Sequence, residues 1–326
     1  MSAEDMVKSR ILIIGATGNL GHHLATAALR SSHPTFALVR PSSFSDAVKS
    51  RTLATLSDAG LVIIKGSLED EASLLEALRR VDVVICALPA KQALDQKLLI
   101  QAIKKVGSIK KFIPSEFGSD PDKVHVSSMS YGFYTRKSEI RRVIEAEAIP
   151  YTIISCNFYM SYLLHSLVQP GLMVPSRDEV TVFGNGNIRG VFVKESDVAA
   201  FTINAVDDPR TLNKVVYLRP PGNVYSMNEL IEIWESKIGN KLKKKYKSEE
   251  ELLAKIKETP YPDNMPFIFI YSTFIKGDQT YFEIEESGGL DGLTLYPNLA
   301  YTTITIYIVS IRAAAEASSH VLGIVN

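Results

Sequence analysis

Cysteine is scarce in this chain: only Cys86 and Cys156 occur in 326 residues. Each sits in an apolar, strand-like run, which suits small buried thiols in a reducing compartment better than a disulfide framework, with a single bridge between the two left open. Net charge is also missing. Lys and Arg together number 36, as do Asp and Glu, so no overall field would draw the protein onto a phosphate backbone or an anionic membrane, and nucleic acid is excluded as an expected partner. Long hydrophobic runs are absent too. Met1 to Arg10 has no hydrophobic signal region and the first apolar run, Ile11 to Ile14, is only strand length, so a cytoplasmic protein with no membrane partner is expected. The metal and nucleophile motifs H-E-x-x-H, paired C-x-x-C and G-x-S-x-G do not occur. Of the six histidines (His22, His23, His33, His125, His165, His320) only the first two are adjacent, at the start of a helix, where surface or capping roles fit. No metal is expected.

What is present is the composition of a folded globular protein, 46% apolar and 22% charged, with a regular alternation from Ile11 to about Cys156. Short aliphatic runs predict strands at Ile11–Ile14, Thr35–Val39, Leu61–Lys65, Val83–Ala87, Lys111–Pro114 and Tyr151–Ser155. Amphipathic stretches between them predict helices at Gly21–Ser31, Ser50–Asp58, Glu71–Arg80, Ala93–Val106 and Arg136–Glu147. Continuously apolar strands suit a parallel sheet buried on both faces, and right-handed crossovers bring the strand C-termini to one edge. The fold class is therefore α/β, a Rossmann-type doubly wound parallel sheet. Residues 1–157 form its dinucleotide domain. Residues 158–326, punctuated by Pro and Gly, form mainly a smaller C-terminal substrate lobe, with some segments returning to the sheet; Met227–Ile238 and Glu249–Lys257 are its expected helices. The lysines at 241, 243, 244, 245 and 247 run into Glu249–Glu251 and read as a charge-paired surface.

Directly after the first strand stands Gly15-Ala16-Thr17-Gly18-Asn19-Leu20-Gly21, a G-x-x-G-x-x-G turn opening a helix. Glycines here let the backbone turn tightly and approach a pyrophosphate, whose charge meets free N–H groups at the helix N-terminus. Gly15, Thr17, Gly18, Asn19, Leu20 and Gly21 are the expected cofactor turn. About 20 residues on, where an NAD site carries an acid, the second strand ends in Arg40, with Lys49 beyond it. Guanidinium grips a 2′-phosphate bidentately, which selects NADPH.

Site residues of such a sheet follow the strand C-termini, which nominates Ala87, then Ser115 and Phe117 in Pro114–Gly118, then Asn157 with Phe158 and Tyr159. The helix between the last two segments carries Tyr134, Lys137 and Arg141. Ordinary short-chain dehydrogenases use Tyr-x-x-x-Lys, but the tyrosine position here is Phe133, and Tyr134, one step round the helix, is expected to project elsewhere. Lys137 is left as the proton-exchanging group, made basic enough by burial and by the neighbouring Arg141.

These residues resemble a known family, the plant reductases of the atypical short-chain dehydrogenase group, NmrA-like, comprising pinoresinol-lariciresinol, isoflavone and phenylcoumaran benzylic ether reductases. The resemblance spans about Arg10 to Thr303 and rests on Gly15–Gly21, Val81–Ile85, Pro114–Gly118, Lys137 with Arg141–Ala146, Ile149–Thr152 and Asp207–Lys214. Gln169–Leu172, Val191–Glu195 and Lys276-Gly277-Asp278-Gln279-Thr280 are most similar to the phenylcoumaran benzylic ether reductases. The resemblance implies that Lys137 is the general base, that Arg40, Lys49 and Arg141 contact the cofactor, and that a benzylic ether opens through a quinone-methide-like species. It implies a small aromatic substrate, with Phe158, Tyr159, Met160 and Tyr162 for its pocket; a homodimer is an open assembly. Eugenol synthase, isoflavone reductase or leucoanthocyanidin reductase activity is the alternative within the class, and an NADP-sensing regulator the alternative outside it. Gly-Asn-Leu-Gly replaces the usual Gly-Tyr-Ile-Gly, Asn185-Gly186-Asn187 replaces Asp-Gly-Asn, and after Thr303 an apolar run and an Ala/Ser-rich tail replace an acidic helix. Arg40→Asp is expected to remove about 1.5–3 kcal/mol of charge-assisted binding, raising the KM for NADPH about 10- to 100-fold and moving preference toward NADH. Steady-state kinetics with both cofactors checks this; unchanged constants would refute it.

Overall fold

The computed structural model describes residues 7–311. Its central sheet is built from β1 (Ile11–Ile14), β2 (Thr35–Val39), β3 (Val62–Lys65), β4 (Val83–Cys86) and β5 (Lys111–Ile113), all parallel in the order β3-β2-β1-β4-β5. β1 lies at the middle, Ile11 opposite Thr35 on one side and Val83 on the other. A bridge from Phe112 to Tyr151 brings in β6 (Thr152–Ser155). Lys214–Tyr217 pairs parallel to β6, and Leu290–Asp291 pairs parallel to that strand. Two segments of the C-terminal half thus lie along β6.

The period-two geometry of a strand explains why these runs are apolar throughout. Ile11, Ile13, Val83 and Ile85 face one core, with Leu24, Ala28 and Phe201 from the helices Asn19–Arg30 and Glu195–Val206. Leu12, Ile14, Val84 and Cys86 face the other, under helices Glu71–Leu78, Gln96–Val106 and Phe133–Ala146. Both thiols are free and buried, so no bridge joins them.

A third core lies in the smaller lobe, around Trp234, Phe192, Phe274 and Met160. Here Phe158–Tyr159 pairs with Arg189–Val193, and Glu179–Phe183 pairs with Lys243–Lys247. The lysine cluster is therefore largely a strand, exposed along its length, with Lys245 paired to Glu179 and Lys247 to Glu251. Capping boxes at Ser226/Glu229 and Ser248/Glu251 start the helices Met227–Ile238 and Glu249–Glu258, where each serine oxygen accepts a bond from the third backbone N–H and each glutamate carboxylate accepts one from the serine N–H. Residues 304–311 are helical and seat Ile304 and Ile308 in this core. The Ala/Ser-rich tail lies outside the described residues.

Several helices begin before their apolar pattern does. The phosphate helix starts at Asn19 because Gly18 is its N-cap, and a 3-10 turn, Ala90–Asp95, precedes Gln96–Val106. None of the described helices is long and apolar enough to cross a membrane. Gly21 marks the tightest contact between helix and sheet: a Cβ there would overlap the backbone carbonyl of Gly15. Gly21→Ala should destabilise the protein by about 1–3 kcal/mol and weaken dinucleotide binding, read from chemical denaturation and from NADPH titration; a variant with wild-type stability and affinity would contradict the packing.

Candidate active site

The C-terminal edge of the sheet carries two adjoining hollows. One is a groove walled by Gly15, Ala16 and Thr17 of the glycine turn, Arg40 and Ser43 beyond β2, and Ser67 beyond β3. Gly15 holds φ at +89°, and a Cβ on it would sit 2.5 Å from the Ala87 carbonyl oxygen, so only glycine lets the turn pass so close to the end of β4. The Gly18 N–H donates to the Gly15 carbonyl at 2.9 Å. No side chain caps the helix at Gly18, which leaves the first-turn amides open to an anion.

The second hollow is a cavity of about 370 Å³ lined largely by aromatic rings. The segment 88–95 divides the two: Leu88, Gln92 and Asp95 face the groove, and Ala90 and Lys91 face the cavity. Lys137, only 5% exposed, opens onto this cavity. Its ammonium donates to the Glu116 carbonyl at 2.6 Å and lies 4.6 Å from the centre of the Phe133 ring. Burial pushes its pKa below the ordinary 10.5, Glu116 and Cys156 oppose that, and Arg141 adds to the lowering. Phe117 and Asn157, both with positive φ, line the same space, and the Asn157 N–H donates to the Gly118 carbonyl, which ties the loops after β5 and β6 together. Phe158, Tyr159 and Tyr162 complete that wall.

Not every nominated residue reaches these hollows. Arg141 is 4% exposed and faces away from both. Three carboxylates engage it instead: Glu116 in a two-pronged pair at 2.6 and 2.7 Å, Asp120 at 2.7 Å and Asp122 at 3.2 Å. Held this way, Arg141 is a buried brace under Glu116 and walls neither the groove nor the cavity. Met160 is fully buried in the small-lobe core rather than in the pocket wall. Leu20 packs into the sheet core. Lys49 pairs with Asp46 at 3.3 Å and does not wall the groove. Ser115 donates its hydroxyl to the Leu88 carbonyl and its N–H to Gln96 Oε1, bracing the dividing segment from behind. Asn19 reaches Glu195 at 3.4 Å, and Glu195 also holds Ser161.

Tyr134 corrects the sequence reading in the opposite sense. Three residues before Lys137, it lies on the same helical face and lines the same cavity. Tyr261, Met265 and Phe269 were also not foreseen; the apolar run Met265–Ile270 signals a buried helix, but nothing local in it says which wall it joins. Arg141→Met would leave Glu116 and Asp120 buried without a counter-charge, a loss of about 3–5 kcal/mol. Denaturant midpoints should show that loss, with Arg141→Lys recovering part of it; an unchanged midpoint for Arg141→Met would mean the cluster bears no load.

Comparison with known proteins agrees with this geometry. The sequence profile of the NmrA-like family matches residues 7–308. Over 305 residues, 94% of this chain and 98% of the relative, the sequence is 59% identical to Probable pinoresinol-lariciresinol reductase 3 of Arabidopsis thaliana. It is 50% identical to a phenylcoumaran benzylic ether reductase of Ginkgo biloba, covering 93% of this chain and 99% of that one. Among solved structures, a reductase bound to NADP+ and (+)-pinoresinol superposes with a TM-score of 0.88 at 33% identity, covering 93% of this chain and 98% of the other. A leucoanthocyanidin reductase from Vitis vinifera with NADPH gives 0.85 at 34% identity, covering 93% and 99%.

Proposed function

The chain belongs to the NmrA-like family, and we propose that within it this protein opens a benzylic ether of a phenolic substrate. It is an NADPH-dependent reductase of phenylpropanoid-derived aromatic compounds, as are the relatives it matches over nearly their whole length.

The groove fits the dinucleotide on its own chemistry. Gly15 makes a cradle that a Cβ would fill, the uncapped helix start suits a pyrophosphate, and Arg40 stands at the rim where a 2′-phosphate calls for a cation. NADPH, when bound, supplies the hydride. The protein's own part is to bind the ring, exclude water and move a proton. Phe158, Tyr159 and Phe269 offer apolar faces to a phenol ring. The Lys137 amine takes the phenolic proton, and the electron pair released on that oxygen moves through the ring to expel the ether oxygen, leaving a quinone methide that is reduced at the benzylic carbon.

One observation carries the reading: an amine 5% exposed, anchored on a backbone carbonyl and opening onto an aromatic cavity. The base must be neutral to act. Activity should therefore rise with pH along a limb set by the Lys137 pKa, which burial places below 10.5, and fall as pH drops through it. Lys137→Met should cut turnover by about 10²- to 10⁴-fold and abolish that limb, with NADPH binding retained. Following NADPH absorbance with a phenylcoumaran and with its phenol-methylated analogue checks both points. Equal turnover of the two would remove the deprotonation step.

A further inference from the structure

Opening a benzylic ether consumes one hydride and one proton, and Lys137 supplies no proton on balance. The amine takes a proton from the phenol at the start and returns it to the same oxygen once the benzylic carbon is reduced. The departing ether oxygen leaves with an electron pair and needs a second proton, from a group other than Lys137. A phenoxide is a poor leaving group without one, its conjugate acid having a pKa of about 10.

Tyr134 stands in the same cavity wall as Lys137, one helical turn away. Ser119, another lining residue, and Ser272 are the polar side chains beside its hydroxyl. Ser272 donates to Asp278 Oδ2 at 2.5 Å. Asp278 is buried, and its other oxygen lies 2.5 Å from His125 Nδ1, whose backbone N–H also donates to Oδ2 at 3.1 Å. The His125 side chain is 56% exposed. Gln279 holds the near end in place, donating to Ser119 at 3.1 Å while its carbonyl receives the Val191 N–H. A file of polar side chains thus runs from the aromatic cavity to the protein surface. It passes through a buried carboxylate whose ion-pairing partner is the His125 imidazole, a costly arrangement for stability alone. Burial raises the Tyr134 pKa, which keeps the hydroxyl protonated but weakens it as an acid, so transfer to the ether oxygen has to be coupled to reprotonation along the file.

We propose that Tyr134 is the second proton-transfer group, protonating the departing ether oxygen and drawing its replacement proton from solvent through Ser272, Asp278 and His125. The proposal rests on the ether-opening reading above. Tyr134 touches the reacting oxygen and is catalytic in that sense; Ser272 and Asp278 relay, and His125 exchanges with water. The balance closes: phenol proton to Lys137 and back, electron pair to the ether oxygen, hydride to the benzylic carbon, solvent proton to the ether oxygen by way of Tyr134.

The test compares two substrates with the same free phenol. In one the benzylic carbon bears an aryl ether; in the other it bears an acetate ester, whose carboxylate departs with a conjugate-acid pKa of about 4 and needs no acid. Tyr134→Phe should lower the ratio of ether to ester turnover about 10²-fold. His125→Asn, on the surface, should lower the same ratio and regain ether turnover when imidazole is added to the buffer. An unchanged ratio in Tyr134→Phe, or in His125→Asn if the first variant does not fold, overturns the relay while the ether reading stands. A wild-type enzyme that reduces the ester and not the ether removes both. A Lys137→Met variant that turns over both substrates at wild-type rates removes the deprotonation step alone.

Discussion

The arrangement depends on one buried amine being held without a full counter-charge. Lys137 Nζ rests on a backbone carbonyl, Glu116 O, while the Glu116 carboxylate turns away to Arg141. Were that carboxylate free to swing toward the amine, a direct ion pair would hold Lys137 protonated and make it a poor base. Arg141 prevents this by occupying both Glu116 oxygens and adding Asp120 and Asp122 to the same cluster. The two ionic residues nearest the active lysine are thus spent on each other. This separation keeps the Glu116 carboxylate off the amine, and it puts a strongly charged cluster beside a cavity rich in aromatic rings.

The two hollows share one dividing segment but draw the rest of their walls from different parts of the chain. The groove is made by turns after β1, β2 and β3 in the first 70 residues, closed by Leu88, Gln92 and Asp95 of the dividing segment. The cavity takes its floor from the helix Phe133–Ala146 and the loops after β5 and β6, and its far wall from Tyr261, Met265 and Phe269. A dinucleotide site can therefore stay constant while the wall facing the second ligand is rebuilt, because the residues at 261–269 carry no part of the groove. The relatives named here, which share the fold and differ in the aromatic compound in their names, fit that division.

Much of this was readable before any coordinates. The six strands follow from short apolar runs, because a strand buried on both faces has no polar positions to confuse its limits; β1 and β2 begin and end where the runs do. The glycine turn was readable because steric demand singles out one residue type. Lys137 was readable by elimination, once Phe133 took the tyrosine position. The misreadings share a cause. Tyr134 was sent elsewhere by comparing it with Phe133 instead of with Lys137, three residues on, and both tyrosine and lysine reach the cavity. Arg141 was assigned to the cofactor by resemblance to the family, whereas its direction is fixed by Glu116, Asp120 and Asp122 from a loop about 20 residues earlier. The far cavity wall depends on packing between segments distant in sequence, which no local pattern records.

The lysine-rich strand Lys243–Lys247 has a bearing on solubility that its ion pairs alone do not convey. It forms a two-stranded sheet with Glu179–Phe183 in which Val182 and Phe183 are buried while the lysine side is exposed. A bare backbone edge of that kind invites a neighbouring chain to add a strand. Any incoming strand would have to bury several ammonium groups together, and such edge lysines are a recurrent guard against runaway pairing. The charge there keeps neighbouring molecules apart, at a surface remote from the chemistry.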